Sequence, residues 1–352
     1  MKYIYKISII KLFEIIYGKI FQSKKKIDNK KLKITNLNFH KKNYKLYEID
    51  RGRVFTDCNT NVAYISKNNQ INNFSYQQNK DKISSIKYNS VLKIGTPKFK
   101  KIFKGKVFSL IQGASGNNYW HWLFDLLPKI EILYINKMLN HFDYFYIPKI
   151  DNYIIDTLKI YGIKKKQLIN SQKFKHIEAD TISVLENIYI KSGGFQKQFE
   201  NIPLNIVKKI RNRLIKCKSR KFNNKKIFID RSDSKFNHYQ FFENDKIIKT
   251  LKKKNFTILK LSKLSIFDQI SVFNSSKLIL GLHGAGFANI IFCKKKTQIY
   301  EILRKNDSKR NGVKTLSNHS GLKHKKIIIN KYKKFDGSDL LIFDKKYFDL
   351  FI

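Results

Sequence analysis

The stretch Lys277-Leu278-Ile279-Leu280-Gly281-Leu282-His283-Gly284-Ala285-Gly286-Phe287-Ala288-Asn289-Ile290-Ile291-Phe292 decides how the chain is read. An apolar run of strand length meets a turn punctuated by glycines and continues into a second apolar run. That is the pattern of a buried parallel strand passing through a tight loop into a helix. Gly284 and Gly286 are expected to take up positive φ and to let the backbone come close to a ligand. The first N–H groups of the following helix point at whatever the turn holds, so the turn is a cradle for an anion such as phosphate. His283 falls at the carboxyl end of the strand, where an open α/β sheet keeps its ligands. The glycines spell neither Gly-x-Gly-x-x-Gly nor a P-loop, so this is not an ordinary dinucleotide or ATP fingerprint. A plain tight turn with a capped helix is the alternative.

Outward from this stretch the pattern keeps alternating. Strands are expected at 226–230, 256–260 and 298–302, with helices at 203–217, 241–253 and 265–275 between and before them. Upstream, strands at 106–111, 143–147 and 181–185 with a helix at 153–161 form a first α/β unit, and Ser192-Gly193-Gly194 reads as a hinge. Strands and helices of these lengths in alternation imply parallel, doubly wound sheets. A chain of 352 residues exceeds what one core supports, so two domains are expected. Residues 52–74 read as a hairpin packed on the edge of the first domain, and 77–104 as connection. The expected division is a basic amphipathic segment at 1–45, an α/β domain at 46–200, a second at 201–335, and a helix or tail at 336–352.

The net charge of +46 points to nucleic acid or an anionic membrane surface. Lys rises together with Asn, Ile, Tyr and Phe along the whole chain, the bias of an AT-rich coding sequence. No basic block with interleaved aromatics and no zinc-finger spacing stands out, which leaves nucleic acid the lesser reading. The three cysteines, Cys58, Cys217 and Cys293, are odd in number and far apart, which excludes a disulfide framework and fits a reducing compartment. In residues 1–21, Lys2, Lys6, Lys11, Glu14 and Lys19 interrupt the apolar run too often for a membrane span or a signal-peptide core. Tyr5, Ile9, Leu12, Phe13, Ile16 and Ile20 instead share one side of a helix, followed by Ser23-Lys24-Lys25-Lys26. Such a helix either docks on its own domain or lies in a membrane interface.

The chemistry gathers at strand ends. Arg231 follows one strand, where its planar fork suits a diphosphate, and Glu301 lies near the end of another, where a carboxylate can accept the hydroxyls of a ribose. In Trp120-His121-Trp122-Leu123-Phe124-Asp125, His121 and Asp125 are four apart and share a helical face, so the carboxylate can orient or charge the imidazole. Gly113-Ala114-Ser115-Gly116 misses the last position of a nucleophile elbow, which weighs against a hydrolase that uses His-Gly-Ala-Gly as an oxyanion hole.

Asn118-Tyr119-Trp120-His121-Trp122-Leu123-Phe124-Asp125-Leu126-Leu127-Pro128-Lys129, then Asp230-Arg231-Ser232, then Gly281-Leu282-His283-Gly284-Ala285-Gly286-Phe287-Ala288-Asn289 with Phe292 and Tyr300-Glu301-Ile302, resemble in this order glycosyltransferase family 61, which includes bacterial capsular-polysaccharide biosynthesis proteins. The resemblance spans about residues 45–330. It implies two facing Rossmann-like domains of the GT-B type, here with an N-terminal helix and β-hairpin added. It further implies a nucleotide-sugar donor, a glycan or lipid-linked glycan acceptor, and inverting transfer in capsule or lipopolysaccharide synthesis. Donor contacts are expected from Arg231, His283, Gly284, Ala285, Gly286, Asn289 and Glu301. The general base is expected to be His121 or Asp125, facing the donor across a cleft, with His283 competing. No cofactor and no metal is expected, since no Asp-x-Asp stands in a suitable loop. Family members often carry a second Arg several residues after the first and then Asn-Glu; here Lys235 or His238 stands in that region. The expected location is the cytoplasm, peripheral at the inner face of the plasma membrane. A non-catalytic basic protein that binds nucleic acid or membrane is the alternative.

Overall fold

The computed structural model describes residues 2–22, 32–58, 61–71, 76–79, 82–84, 99–112, 118–188, 201–219, 222–234, 239–335, 338–344 and 347–349. The chain divides into two compact units, Met1–Ile206 and Val207–Ile352. The hinge expected at Ser192-Gly193-Gly194 lies outside the described residues.

The first unit opens with helix α1 (Lys2–Tyr17) and builds a mixed sheet. Its main strands are β1 (Leu32–Phe39), β2 (Lys42–Asp50), β3 (Arg53–Thr56), β4 (Asn61–Ser66), β5 (Lys101–Ser109), β6 (Tyr144–Ile147), β7 (Leu168–Asn170) and β8 (His176–Leu185). Strands β8, β5, β6 and β7 run parallel in that order. Both β2 and β3 pair antiparallel with β8, joined by a turn at Arg51-Gly52 too short for a parallel crossover. The doubly wound parallel sheet expected for this unit is therefore only partly present. The hairpin expected on its edge lies inside the sheet, since β3 sits between β4 and β8. Leu32–Phe39, read as part of an amphipathic segment, is a strand whose eight residues all pair with β2. Ile49, Val54, Val62, Tyr64, Val107, Tyr146, Ile177 and Ile182 fill the core between these strands. Helix α2 (Leu127–Ile135) follows β5, and α3 (Asn152–Ile160) follows β6.

After α4 (Leu204–Leu214), the second unit builds a five-stranded parallel sheet from β9 (Lys226–Ile229), β10 (Thr257–Leu259), β11 (Leu278–Leu282), β12 (Gln298–Arg304) and β13 (Lys323–Ile329). Helices α5 (Asn244–Lys253), α6 (Ile266–Ser275) and α7 (Gly312–His319) connect them. The spatial order is β10-β9-β11-β12-β13, or 2-1-3-4-5 in order of appearance, a doubly wound topology. All five residues of β11 are buried, as its unbroken apolar run requires in a sheet covered on both faces. Gly281 is needed for space: a Cβ there would stand 3.0 Å from Cβ of Ile229 on β9. Where a helix or tail was expected from residue 336, Ser338–Leu341 is a strand, pairing with Tyr332–Phe335 and with Tyr239–Phe241. Among the described residues no helix is long and apolar enough to cross a membrane.

Candidate functional site

In a 2-1-3-4-5 sheet the winding direction reverses between the first and third strands, and the loops leaving their carboxyl ends part to form a crevice. Here those strands are β9 and β11, and the residues just beyond them are Asp230-Arg231 and His283-Gly284. Two segments more than fifty residues apart in sequence thus meet at one end of the sheet. Asp230 turns the chain: its carboxylate accepts the backbone N–H of Ser232 at 2.9 Å and the Ser232 hydroxyl at 3.1 Å. Arg231 is thereby directed across the crevice, where its guanidinium donates to the His283 carbonyl oxygen and, at 3.4 Å, to Ser234 Oγ. Beside them lies a shallow pocket lined by Phe228, Asp230, Arg231, Ser232, Gln240, Phe241, Asn244 and Leu282.

The glycines act differently from expectation. Gly284 is extended, with φ 169° and ψ 178°, and neither it nor Gly286 lies in the left-handed region. Both leave room for a neighbouring side chain. A Cβ on Gly284 would lie 2.7 Å from Arg231 Cζ, and one on Gly286 would lie 2.7 Å from Leu261 Cδ1. The expected α-helix after the turn is a 3-10 helix, Ala285–Phe292, with Gly284 as its N-cap and no side-chain cap. Gly284, Ala285 and Gly286 are half-buried. Asn289 is wholly buried and donates to Gln269 Oε1 at 2.9 Å and to the Gly286 carbonyl, so it secures the turn from behind instead of touching a donor.

Glu301 departs from expectation in a similar way. It is 0% exposed, so it is not placed to receive ribose hydroxyls. One oxygen accepts from His283 Nδ1 and the other from His324 Nε2, the latter at 2.9 Å. Burial pushes the Glu301 carboxyl up, but the hydrogen bonds and charges of the two imidazoles outweigh it and hold the group below its ordinary value. With Nδ1 donating to the carboxylate, His283 turns its Nε2 edge away from Glu301. Its side chain is 22% exposed.

In the first unit the second motif is arranged around an irregular helix. Asn118 caps it by accepting the Trp120 N–H at 2.9 Å. Tyr119–His121 is α-helical, Trp122–Leu126 widens into a π-helix, and α2 continues with Pro128 in its first turn. Proline removes the N–H that the Phe124 carbonyl would have received, and the ladder slips by one residue, Leu127 N–H bonding to Trp122 O. In this wide turn His121 Nδ1 meets Asp125 Oδ2 at 2.6 Å. His121 is 5% exposed and Asp125 4%, so the imidazole is enclosed where an open position had been expected.

Sequence reasoning passed over Lys129, one further turn along, which is 1% exposed and donates to Leu185 O and Asn187 Oδ1, each at 3.1 Å. Burial drives its amine down to about 8, against the opposing pull of Asp125 and Glu186. It also passed over His324, whose role depends on the register of β13. Lys235, His238 and the Gly113-Ala114-Ser115-Gly116 segment lie outside the described residues.

Two outcomes follow from this geometry. Between about pH 8 and the ordinary lysine value of 10.5, Lys129 binds fewer protons folded than unfolded, so its contribution to stability should rise with pH across that interval. Denaturation at several pH values should show wild type gaining on Lys129→Met from pH 8 upward; parallel curves would mean the amine is not depressed. Gly284→Ala should expel the flexible Arg231 guanidinium and leave the fold alone, changing stability by about 0.5 kcal/mol or less. Its crystal structure should show the Arg231–His283 contact broken.

The comparisons with known proteins bear on these same segments. No curated protein sequence matches the chain. The family model described as Glycosyltransferase 61 matches residues 119–300, which takes in the π-turn motif, Arg231, the His283–Gly286 turn and the start of β12. That match covers more than half of the chain and carries both motifs in order, and the protein belongs to glycosyltransferase family 61.

Proposed function

We propose that the protein is an inverting glycosyltransferase of the GT-B type that moves a sugar from a nucleoside-diphosphate donor to a glycan or lipid-linked glycan in the synthesis of a cell-surface polysaccharide, capsule or lipopolysaccharide. Family membership supports sugar transfer from a nucleotide-sugar to a glycan in general. The observation that carries the donor reading is the meeting of Arg231 with the His283–Gly286 turn at the reversal point of the parallel sheet. A guanidinium, an imidazole and the positive end of a short helix stand together at one edge of the sheet, which suits the diphosphate and the charge that grows on it as the glycosidic bond breaks.

In this reading the acceptor hydroxyl loses its proton to a general base and attacks the anomeric carbon opposite the leaving diphosphate. His121 is the proposed base, its tautomer fixed by Asp125 so that Nε2 takes the proton. His283 is the competing imidazole and the more exposed of the two. The enclosure of His121 makes the comparison decisive. His121→Ala should lower kcat on the order of a hundredfold or more while nucleotide affinity stays near wild type. A larger loss of kcat in His283→Ala would move the role there.

The donor site is tested by thermal shift against a panel of nucleoside diphosphates and nucleotide sugars, since a ligand that binds only the native state raises the melting point. Arg231→Ala should weaken the active nucleotide by on the order of 2 kcal/mol, the size of a charge-assisted contact, without unfolding. Undiminished binding would remove Arg231 from the site.

Cytoplasmic placement at the inner membrane face belongs to the same proposal. It is supported by the basic sequence and by α1, on which Leu12, Ile15 and Ile16 are 52%, 81% and 51% exposed. Ser23–Lys26 lies outside the described residues. Sedimentation with anionic liposomes should retain the full chain and lose most of a chain lacking residues 1–26; equal retention would discharge the segment from that role.

A further inference from the structure

The relay from His283 to Glu301 reaches a third residue on the far side of the carboxylate. His324 is the second residue of the edge strand β13, yet its side chain is only 4% exposed, and its Nε2 lies 2.9 Å from Glu301 Oε2. In the parallel register Glu301 is opposite Lys326, and with side chains alternating along a strand, residues 324 and 326 share the face on which Glu301 lies. The imidazole therefore reaches diagonally from one register position to the next. The two histidines come from opposite sides: His283 from the end of β11, His324 from β13, with β12 between them.

We propose that His324 is a positioning residue for the donor site, setting the orientation and tautomer of His283 through Glu301. The last torsion of a glutamate is soft, so a carboxylate held at one oxygen can swivel. A second donor on Oε2 fixes the carboxylate plane and aims Oε1 at His283 Nδ1. That places the proton of His283 on Nδ1 and leaves Nε2 as the edge turned to the crevice. The carboxylate, wholly buried and ionised, also needs both donors to offset its desolvation. The trio does not mark a metal site, because both imidazoles direct a ring nitrogen at the carboxylate itself. Among the described residues no group of three or more His, Cys, Asp or Glu is placed to hold an ion.

The functional weight of this inference rests on the donor reading above, and its test separates the two. His283 ring nitrogens are observed by NMR in full-length protein labelled at histidine, with the signals assigned by their loss in His283→Gln. Wild type should show Nδ1 protonated. His324→Leu, which removes the donor but keeps bulk, should lose that signature, and His324→Gln, whose amide can donate to Oε2, should restore it. Uridine and guanosine diphosphate are titrated in parallel. His324→Leu should bind whichever nucleotide wild type binds about tenfold more weakly, as expected for a lost hydrogen bond to a charged group, and His324→Gln should recover most of it. An unchanged His283 signature in a folded His324→Leu protein would overturn the proposal. A changed signature with no nucleotide binding by wild type would leave the relay standing and sink the donor reading. Should His324→Leu fail to fold, His324→Gln beside His324→Asn, whose shorter amide falls short of Oε2, gives the same comparison.

Discussion

Five parallel strands joined by helices leave their carboxyl ends bare, and where the winding reverses, neighbouring loops are carried apart. The second unit depends on that constraint. The pairing of Lys226–Ile229 with Leu278–Leu282 brings Arg231 and His283 to the same edge although more than fifty residues separate them in the chain. Gly281 allows the close approach of the two strands, since any side chain there would press on Ile229. From this one pairing follow the crevice, the guanidinium that crosses it and the short helix that opens on it.

The polar groups around the crevice fall into two layers. Arg231, His283 and the half-buried glycine turn face outward. Behind them stand two hydrogen-bonded pairs, Glu301 with His324 and Asn289 with Gln269, with Glu301 and Asn289 wholly buried. Interior polar groups are tolerated only when bonded, and here each bond also fixes a piece of the outer layer. Asn289 holds the carbonyl of Gly286, and Glu301 holds the ring of His283.

Much of this was legible in the sequence, and the exceptions have physical causes. The apolar run at 278–282 and the alternation from 226 to 302 gave the parallel sheet, because strands buried on both faces leave an unambiguous imprint. Arg231 and His283 were expected together because both stand just past neighbouring strands, and the pairing of those strands brings them into contact. What the glycines were for was not legible: a missing side chain looks the same whether backbone angle or neighbouring bulk demands it, and the neighbour here, Arg231, is distant in sequence. Glu301 was placed correctly at its strand but given the wrong partner, because His324 meets it only through the register of two strands. In the first unit the mixed sheet escaped notice since β2 and β3 carry no signal that names the strand they join. Lys129 was hidden for another reason, as a lysine at the end of an apolar helix motif ordinarily reads as solvated.

The slipped turn at Trp122–Leu126 has a consequence for how this helix can vary. A π-turn carries one residue more than the α-helical turn it replaces, and here the helix accommodates it without breaking. Removing one residue within 122–126 would return the ladder to α-helical spacing, with one carbonyl still left unpaired by Pro128, and leave the packing of α2 largely in register. The face that precedes the deletion would rotate relative to the face that follows, carrying His121 off the line it shares with Asp125 and Lys129. The stretch thus works as an angular setting between two halves of one helix, and it decides where the buried imidazole of His121 points relative to the sheet beneath it.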